Sequence, residues 1–146
     1  MTRPALLDVN VLVALFDAGH VHHEAAHDWF ADNRQSGWAT CPITETGFVR
    51  VLSNPASGVT ERAPAILESL RTFCASGHHQ FWPDILSLRD ACFDLSIAQG
   101  HRQLTDIYLL GLAAKMGGVL ATFDRAIPLE AVRTAGAGTL AVIAVA

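Results

Sequence analysis

Short apolar runs alternate with longer stretches whose apolar residues recur every three or four positions. This alternation constrains the fold more than any other feature of the chain. Ala5 to Asp8, Trp38 to Cys41, Gln80 to Trp82, Val119 to Phe123 and Leu140 to Val145 read as short strands. Between them, Val11 to Phe16 reads as a helix turn or two. His22 to Asn33 is a helix with Ala25, Ala26, Trp29 and Phe30 on one face. Pro42 starts a third helix, to about Leu52, and Pro64 lies near the start of a fourth, to about Ala75. Ile85 to Ala98 reads as a helix, in one piece or two. Thr105 is the predicted cap of the last helix, which runs to Met116 and is stopped by Gly117 and Gly118. This pattern predicts an α/β fold, a parallel sheet of about five short strands flanked by helices on both faces. The turn-rich segment Asn54 to Thr60 is too short to divide domains, so residues 1–146 are expected to form a single domain.

Four acids stand beside these apolar segments. Asp8 closes the first strand, Asp124 follows the run ending at Phe123, and Glu45 and Asp106 open apolar helices. A buried carboxylate is costly unless paired, hydrogen-bonded or bound to a metal. Each acid alone has an ordinary explanation, as a first-turn helix acid, a strand-end cap or half of a surface ion pair. Taken together, with Asp8 and Asp124 at the carboxyl ends of strands where ligands gather in parallel sheets, they indicate a shared site. The natural common partner is a hard divalent cation, Mg²⁺ or Mn²⁺. Asp8, Glu45, Asp106 and Asp124 are the candidate catalytic and metal-holding residues. Asn10, Thr105 and Thr122 are candidates to orient them. Arg102, close before Asp106, is a candidate contact for a substrate phosphate.

Composition narrows the setting. Hydrophobic residues make up 51% of the chain and charged residues only 16%, which points to apolar surface covered by another chain. No apolar run approaches the ~18 residues of a membrane span. No signal-peptide stretch follows Met1, and Cys41, Cys74 and Cys92 have no metal-type spacing, so reduced thiols in a cytoplasmic protein are expected. The net charge of -4 argues against a non-specific nucleic-acid coat, although bound cations would offset it at an enzyme site. His23 and His27 would share a helix face and can be imagined holding Zn²⁺, but no other Cys or His completes the set. The aromatic residues fit core or dimer packing. No glycine-rich phosphate loop is present.

Ordered motifs carry a family resemblance. Leu7-Asp8-Val9-Asn10-Val11-Leu12 resembles the opening motif of PIN-domain nucleases. Thr44-Glu45 with Phe48-Val49-Arg50-Val51-Leu52-Ser53 resembles their second acidic helix. Leu104-Thr105-Asp106-Ile107-Tyr108-Leu109 and Ala121-Thr122-Phe123-Asp124-Arg125 resemble the third and fourth motifs. Size, and His23-Glu24-Ala25-Ala26, are similar to the VapC-type toxins of bacterial toxin–antitoxin pairs. The resemblance implies a Mg²⁺- or Mn²⁺-dependent endoribonuclease acting on structured RNA, often tRNA or rRNA. It also implies a homodimer, and a VapB-like antitoxin that blocks the acidic site within a hetero-oligomer. Ala126 stands where many relatives carry a further acid, which leaves one fewer ligand for a second ion.

Two rival readings use the same residues. A haloacid-dehalogenase-type phosphatase also sets an Asp at the first strand end, there as a nucleophile. Its usual second Asp is Asn10 here, and Lys115 lies late in a helix, unsuited to its catalytic lysine. A non-catalytic module would keep the acidic pocket only to dock a basic antitoxin tail.

Overall fold

The computed structural model describes residues 3–145. Among these, five strands form one fully parallel sheet in the order β3-β2-β1-β4-β5. They are β1 (Ala5–Leu7), β2 (Trp38–Thr40), β3 (His79–Phe81), β4 (Val119–Thr122) and β5 (Leu140–Val142). The helices are α1 (Val9–Phe16), α2 (His23–Asn33), α3 (Pro42–Ser53), α4 (Ala63–Cys74) and α5 (Leu104–Lys115).

Strand alternation distributes the core to both faces of the sheet. Ala5, Leu7, Trp38 and Ala121 pack with Leu12, Phe30, Phe48 and Leu70 from α1 to α4. Leu6, Ala39 and Leu120, the intervening residues, pack with Ile107, Leu109 and Leu112 of α5 on the other face. Because both faces are covered at the centre of the sheet, β1 and β4 are apolar along almost their whole length, whereas the edge strand β3 is largely exposed. Trp38 anchors an aromatic cluster on the α1–α4 side, with its ring centroid 4.5 Å from Phe73 and 5.4 Å from Phe30.

The crossing order puts β1 and β4 side by side in the middle of the sheet. Their register pairs Leu7 with Ala121, and the Asp8 backbone N–H continues the ladder to Ala121 O at 3.0 Å. The residues that follow therefore emerge together at one edge.

The segment from Ile85 to Ala98 is not the expected helix. It is irregular, with one short 3₁₀ turn at Leu95–Ile97. Local side chains compete for its backbone. Asp90 Oδ2 accepts the Ser87 N–H at 2.8 Å, and Asp94 Oδ1 accepts the Ser96 N–H at 3.2 Å. Tertiary pairing adds to this, since Phe93 bridges antiparallel to Val132 and Asp94 N–H donates to Ala131 O. The segment forms a strap over α5, which is buried continuously from Ile107 to Ala113 between strap and sheet. Gly111 permits this approach, because a Cβ there would lie 2.4 Å from Phe93 Cζ. The start of α5 also differs from expectation. A 3₁₀ turn at His101–Gln103 leads into it, Gln103 occupies the cap position, and Thr105 falls inside the first turn.

Candidate acidic site

Asp8 directly follows β1 and caps α1. Its Oδ1 accepts the Val9 N–H at 2.7 Å, and its Oδ2 accepts the hydroxyl of Thr122 at 2.8 Å. Thr122 is the last residue of β4 and is fully buried. Parallel register makes it the neighbour of Asp8 across the strand pair, so the hydrogen bond follows from the sheet itself. The same hydroxyl accepts the Asp124 N–H at 3.1 Å. Asp124 Oδ1 in turn accepts the Ala126 N–H at 2.8 Å. Thus Ala126, which carries no acid, still fixes an acid through its backbone.

Asp106 enters from the first turn of α5. Asp8, Asp106, Asp124, Asn10 and Thr122 line one pocket of about 490 Å³, and no Lys or Arg lines it. Burial pushes the Asp8 carboxyl above its ordinary range, against the opposing pull of its Thr122 and Val9 hydrogen bonds. Asp106 is pushed up to about 7, first by burial and then by the charges of Asp8 and Asp124. This is the electrostatic signature of a site lacking a positive charge. The donors are oxygen atoms on three separate elements, which fits a hard cation such as Mg²⁺ or Mn²⁺.

The remaining wall is aromatic and was not legible as part of the site. His20 and His22, in the connection between α1 and α2, line the pocket with Val21 and Phe123. The His22 and Phe123 rings lie 4.8 Å apart, and His20 is stacked over Phe123 at 6.3 Å. His22 N–H donates to His20 Nδ1 at 3.0 Å, which leaves the proton of a neutral His20 on Nε2. Two histidines in a connecting loop have no periodicity that would link them to Asp124, a hundred residues on.

Other predicted site residues stand elsewhere. The Glu45 carboxylate does not line this pocket, because its Oε2 accepts from Thr40 Oγ1 at 2.7 Å on the α4 side of α3. Thr105 is exposed and absent from the lining. Arg102 lies in a separate depression with Gln99 and Gln103. Lys115 lines another, beside Ile85 and Cys92. His23 and His27 do not present a metal pair. Their rings contact the α1 carbonyls of Ala14 and Leu15, at 2.6 and 2.7 Å. The cysteines are free, with only Cys41 fully buried.

A parallel sheet with Asp8 and Asp124 just beyond its two central strands, and Asp106 brought beside them by α5, defines an α/β class with an acidic pocket. The PIN domain model matches residues 5–132, and the chain belongs to that family. Within it, the chain is similar to VapC-type members from Mycobacterium tuberculosis. Ribonuclease VapC39 is 46% identical over 125 residues, spanning 84% of this chain and 90% of the relative. Ribonuclease VapC38 is 48% identical over 125 residues, covering 82% and 84%. Ribonuclease VapC44 is 42% identical over 129 residues, covering 88% and 91%. No helix among the described residues is long and apolar enough to cross a membrane.

Proposed function

We propose that this chain is a divalent-metal-dependent endoribonuclease, the toxin of a VapBC-type pair, acting on structured RNA such as tRNA or rRNA. The observation that carries the reading is the convergence of Asp8, Asp106 and Asp124 on one pocket whose lining, among the described residues, includes no Lys or Arg. The names of the VapC relatives support the ribonuclease assignment.

Asp8, Asp106 and Asp124 would hold the ion, Mg²⁺ or Mn²⁺. A divalent cation there supplies charge neutralisation at a phosphodiester and lowers the pKa of water. The chain's own residues supply the rest. Thr122 fixes Asp8 and the turn to Asp124 through one hydroxyl. Burial and the charges of Asp8 and Asp124 push the Asp106 carboxyl up to about 7, so a cation entering the pocket would displace its proton. Asn10 is exposed and lines the pocket, so its amide can orient a phosphate oxygen. The rings of His20, His22 and Phe123 offer flat faces to an unstacked base. Glu45 would join the aspartates only by leaving Thr40, and Arg102 would reach substrate only beyond the pocket.

The same pocket suits an antitoxin segment that inserts a cationic side chain. A homodimer would cover exposed apolar residues such as Phe81, Ile85 and Leu67.

The test is cleavage of total bacterial RNA with Mg²⁺ or Mn²⁺ against chelator, beside Asp8→Asn and Asp106→Asn. Discrete metal-dependent fragments that both variants lose are expected. Full activity in chelator, or in folded Asp8→Asn, would overturn the assignment.

A further inference from the structure

Four polar side chains from four elements converge, none of them in the lining of the aspartate pocket. Thr40 ends β2 and is fully buried. Glu45 comes from the first turn of α3, Cys74 is the last residue of α4, and His79 is the first of β3. Thr40 Oγ1 donates to Glu45 Oε2 at 2.7 Å and lies 2.8 Å from His79 Nε2. A hydroxyl has one proton, and here the carboxylate takes it. His79 therefore donates Nε2–H to the threonine oxygen. One ligand atom each from Glu45, Cys74 and His79 lies within 4.8 Å of the others.

We propose that Glu45, Cys74 and His79 form a second metal site, for a borderline-soft divalent ion of the Zn²⁺ type. The donor chemistry separates it from the aspartate pocket. Three carboxylates select hard ions, whereas a thiolate, an imidazole and one carboxylate select Zn²⁺. Three protein ligands leave a fourth tetrahedral position for water. Zinc–sulfur and zinc–nitrogen bonds of about 2.3 and 2.0 Å require the three atoms to close by about 1 Å, a side-chain adjustment. Burial holds the His79 pKa down, so the ring is neutral and available as a ligand. The thiol is pushed up to about 11 by burial and by the charge of Glu45, so it stays protonated until an ion displaces its proton.

The protons balance as follows. The Cys74 thiol gives up its proton to solvent as the metal–sulfur bond forms. His79 loses the proton on Nε2 and gains one on Nδ1, a tautomer exchange with no net change. One proton is released per ion bound. The bound ion would tie α3, α4 and the edge strand β3 together.

The test uses the chelator-treated full chain titrated with Co²⁺, a spectroscopic stand-in for Zn²⁺. A thiolate-to-cobalt charge-transfer band is expected, saturating at one ion and bleached by Zn²⁺. It should persist in Asp8→Asn, which disables the aspartate pocket, and vanish in Cys74→Ser. His79→Gln should weaken binding about tenfold or more. Zn²⁺ should also protect Cys74 of the unmodified chain from alkylation, a readout that needs no variant to fold. Absence of the band, its survival in Cys74→Ser, its loss in Asp8→Asn, or alkylation of Cys74 unchanged by Zn²⁺ would each overturn the site.

Discussion

Thr122 Oγ1 donates to Asp8 Oδ2 at 2.8 Å and receives the Asp124 N–H at 3.1 Å, so one buried hydroxyl organises two acids. Thr122→Val keeps the shape and removes both bonds. An unpaired carboxylate oxygen and an unpaired N–H should together cost about 1–3 kcal/mol of stability. Mn²⁺ affinity should fall about ten- to a hundredfold, as when a residue that supports a metal ligand is removed. Thr122→Ser should restore most of both. Calorimetric titration and thermal melts check this. Unchanged Mn²⁺ affinity in Thr122→Val would remove Asp8 from the metal-holding set.

Stability should depend on pH in an unusual direction when the ion is removed. The Asp106 carboxyl rises from its ordinary 3.8 to about 7, so between these values the folded chain holds a proton that the unfolded chain has released. Stability then falls as pH rises through that interval. Solvent access limits the effect to an order of 2 kcal/mol. Asp8 is raised and acts in the same sense, while His79, lowered from 6.5, acts in the opposite sense below that value. Melting temperatures in chelator should therefore decline toward neutral pH, and less so in Asp106→Asn. Saturating Mn²⁺ should remove the decline, because the ion binds the deprotonated form. A flat profile in chelator, identical in Asp106→Asn, would contradict the shift.

Much of this arrangement could be read from the chain because strand ends are local. Asp8 and Asp124 each follow a short apolar run, and parallel order alone brings such ends to one edge. Asp106 was legible as an acid opening an apolar helix. Glu45 shows the limit of that logic. Spacing identifies its helix, but which side the carboxylate faces depends on α4 and β3, supplied by residues 74 and 79. The strap at 85–98 misleads for a related reason. Its apolar residues are spaced for a helix, yet they serve long-range contacts with α5 and Val132, and Asp90 and Asp94 take the backbone N–H groups.

His23 and His27 should contribute to stability as caps of another helix. The last carbonyls of α1 have no partners within the helix. Ala14 O meets His23 Nδ1 at 2.6 Å, and Leu15 O meets His27 Nε2 at 2.7 Å. Carbonyl oxygens only accept, so each ring donates, which fixes the tautomer of the neutral rings. Replacing either by Ala should cost about 1 kcal/mol. Amide exchange should accelerate at the C-terminal end of α1. Unchanged exchange there in both His23→Ala and His27→Ala would show that water serves these carbonyls equally well.

Packing remote from the pocket should also govern it, through Gly47. A Cβ on Gly47 would lie 2.7 Å from Val9 Cγ2, so α3 meets α1 closely at the residue after Asp8. The Val9 N–H holds Asp8 Oδ1 at 2.7 Å. In Gly47→Ala, either α3 retreats or Val9 is pushed, and Val9 is branched at Cβ and so has little freedom to yield. Overpacking of this kind costs about 1–3 kcal/mol. A displaced Val9 would also tilt the Asp8 carboxylate, so RNA cleavage should fall even at temperatures where the variant is fully folded. Val9→Ala in the same chain opens the space and should restore both stability and cleavage. If Gly47→Ala melts and cleaves like the parent, α3 absorbs the methyl freely and the α1–α3 contact does not position Asp8.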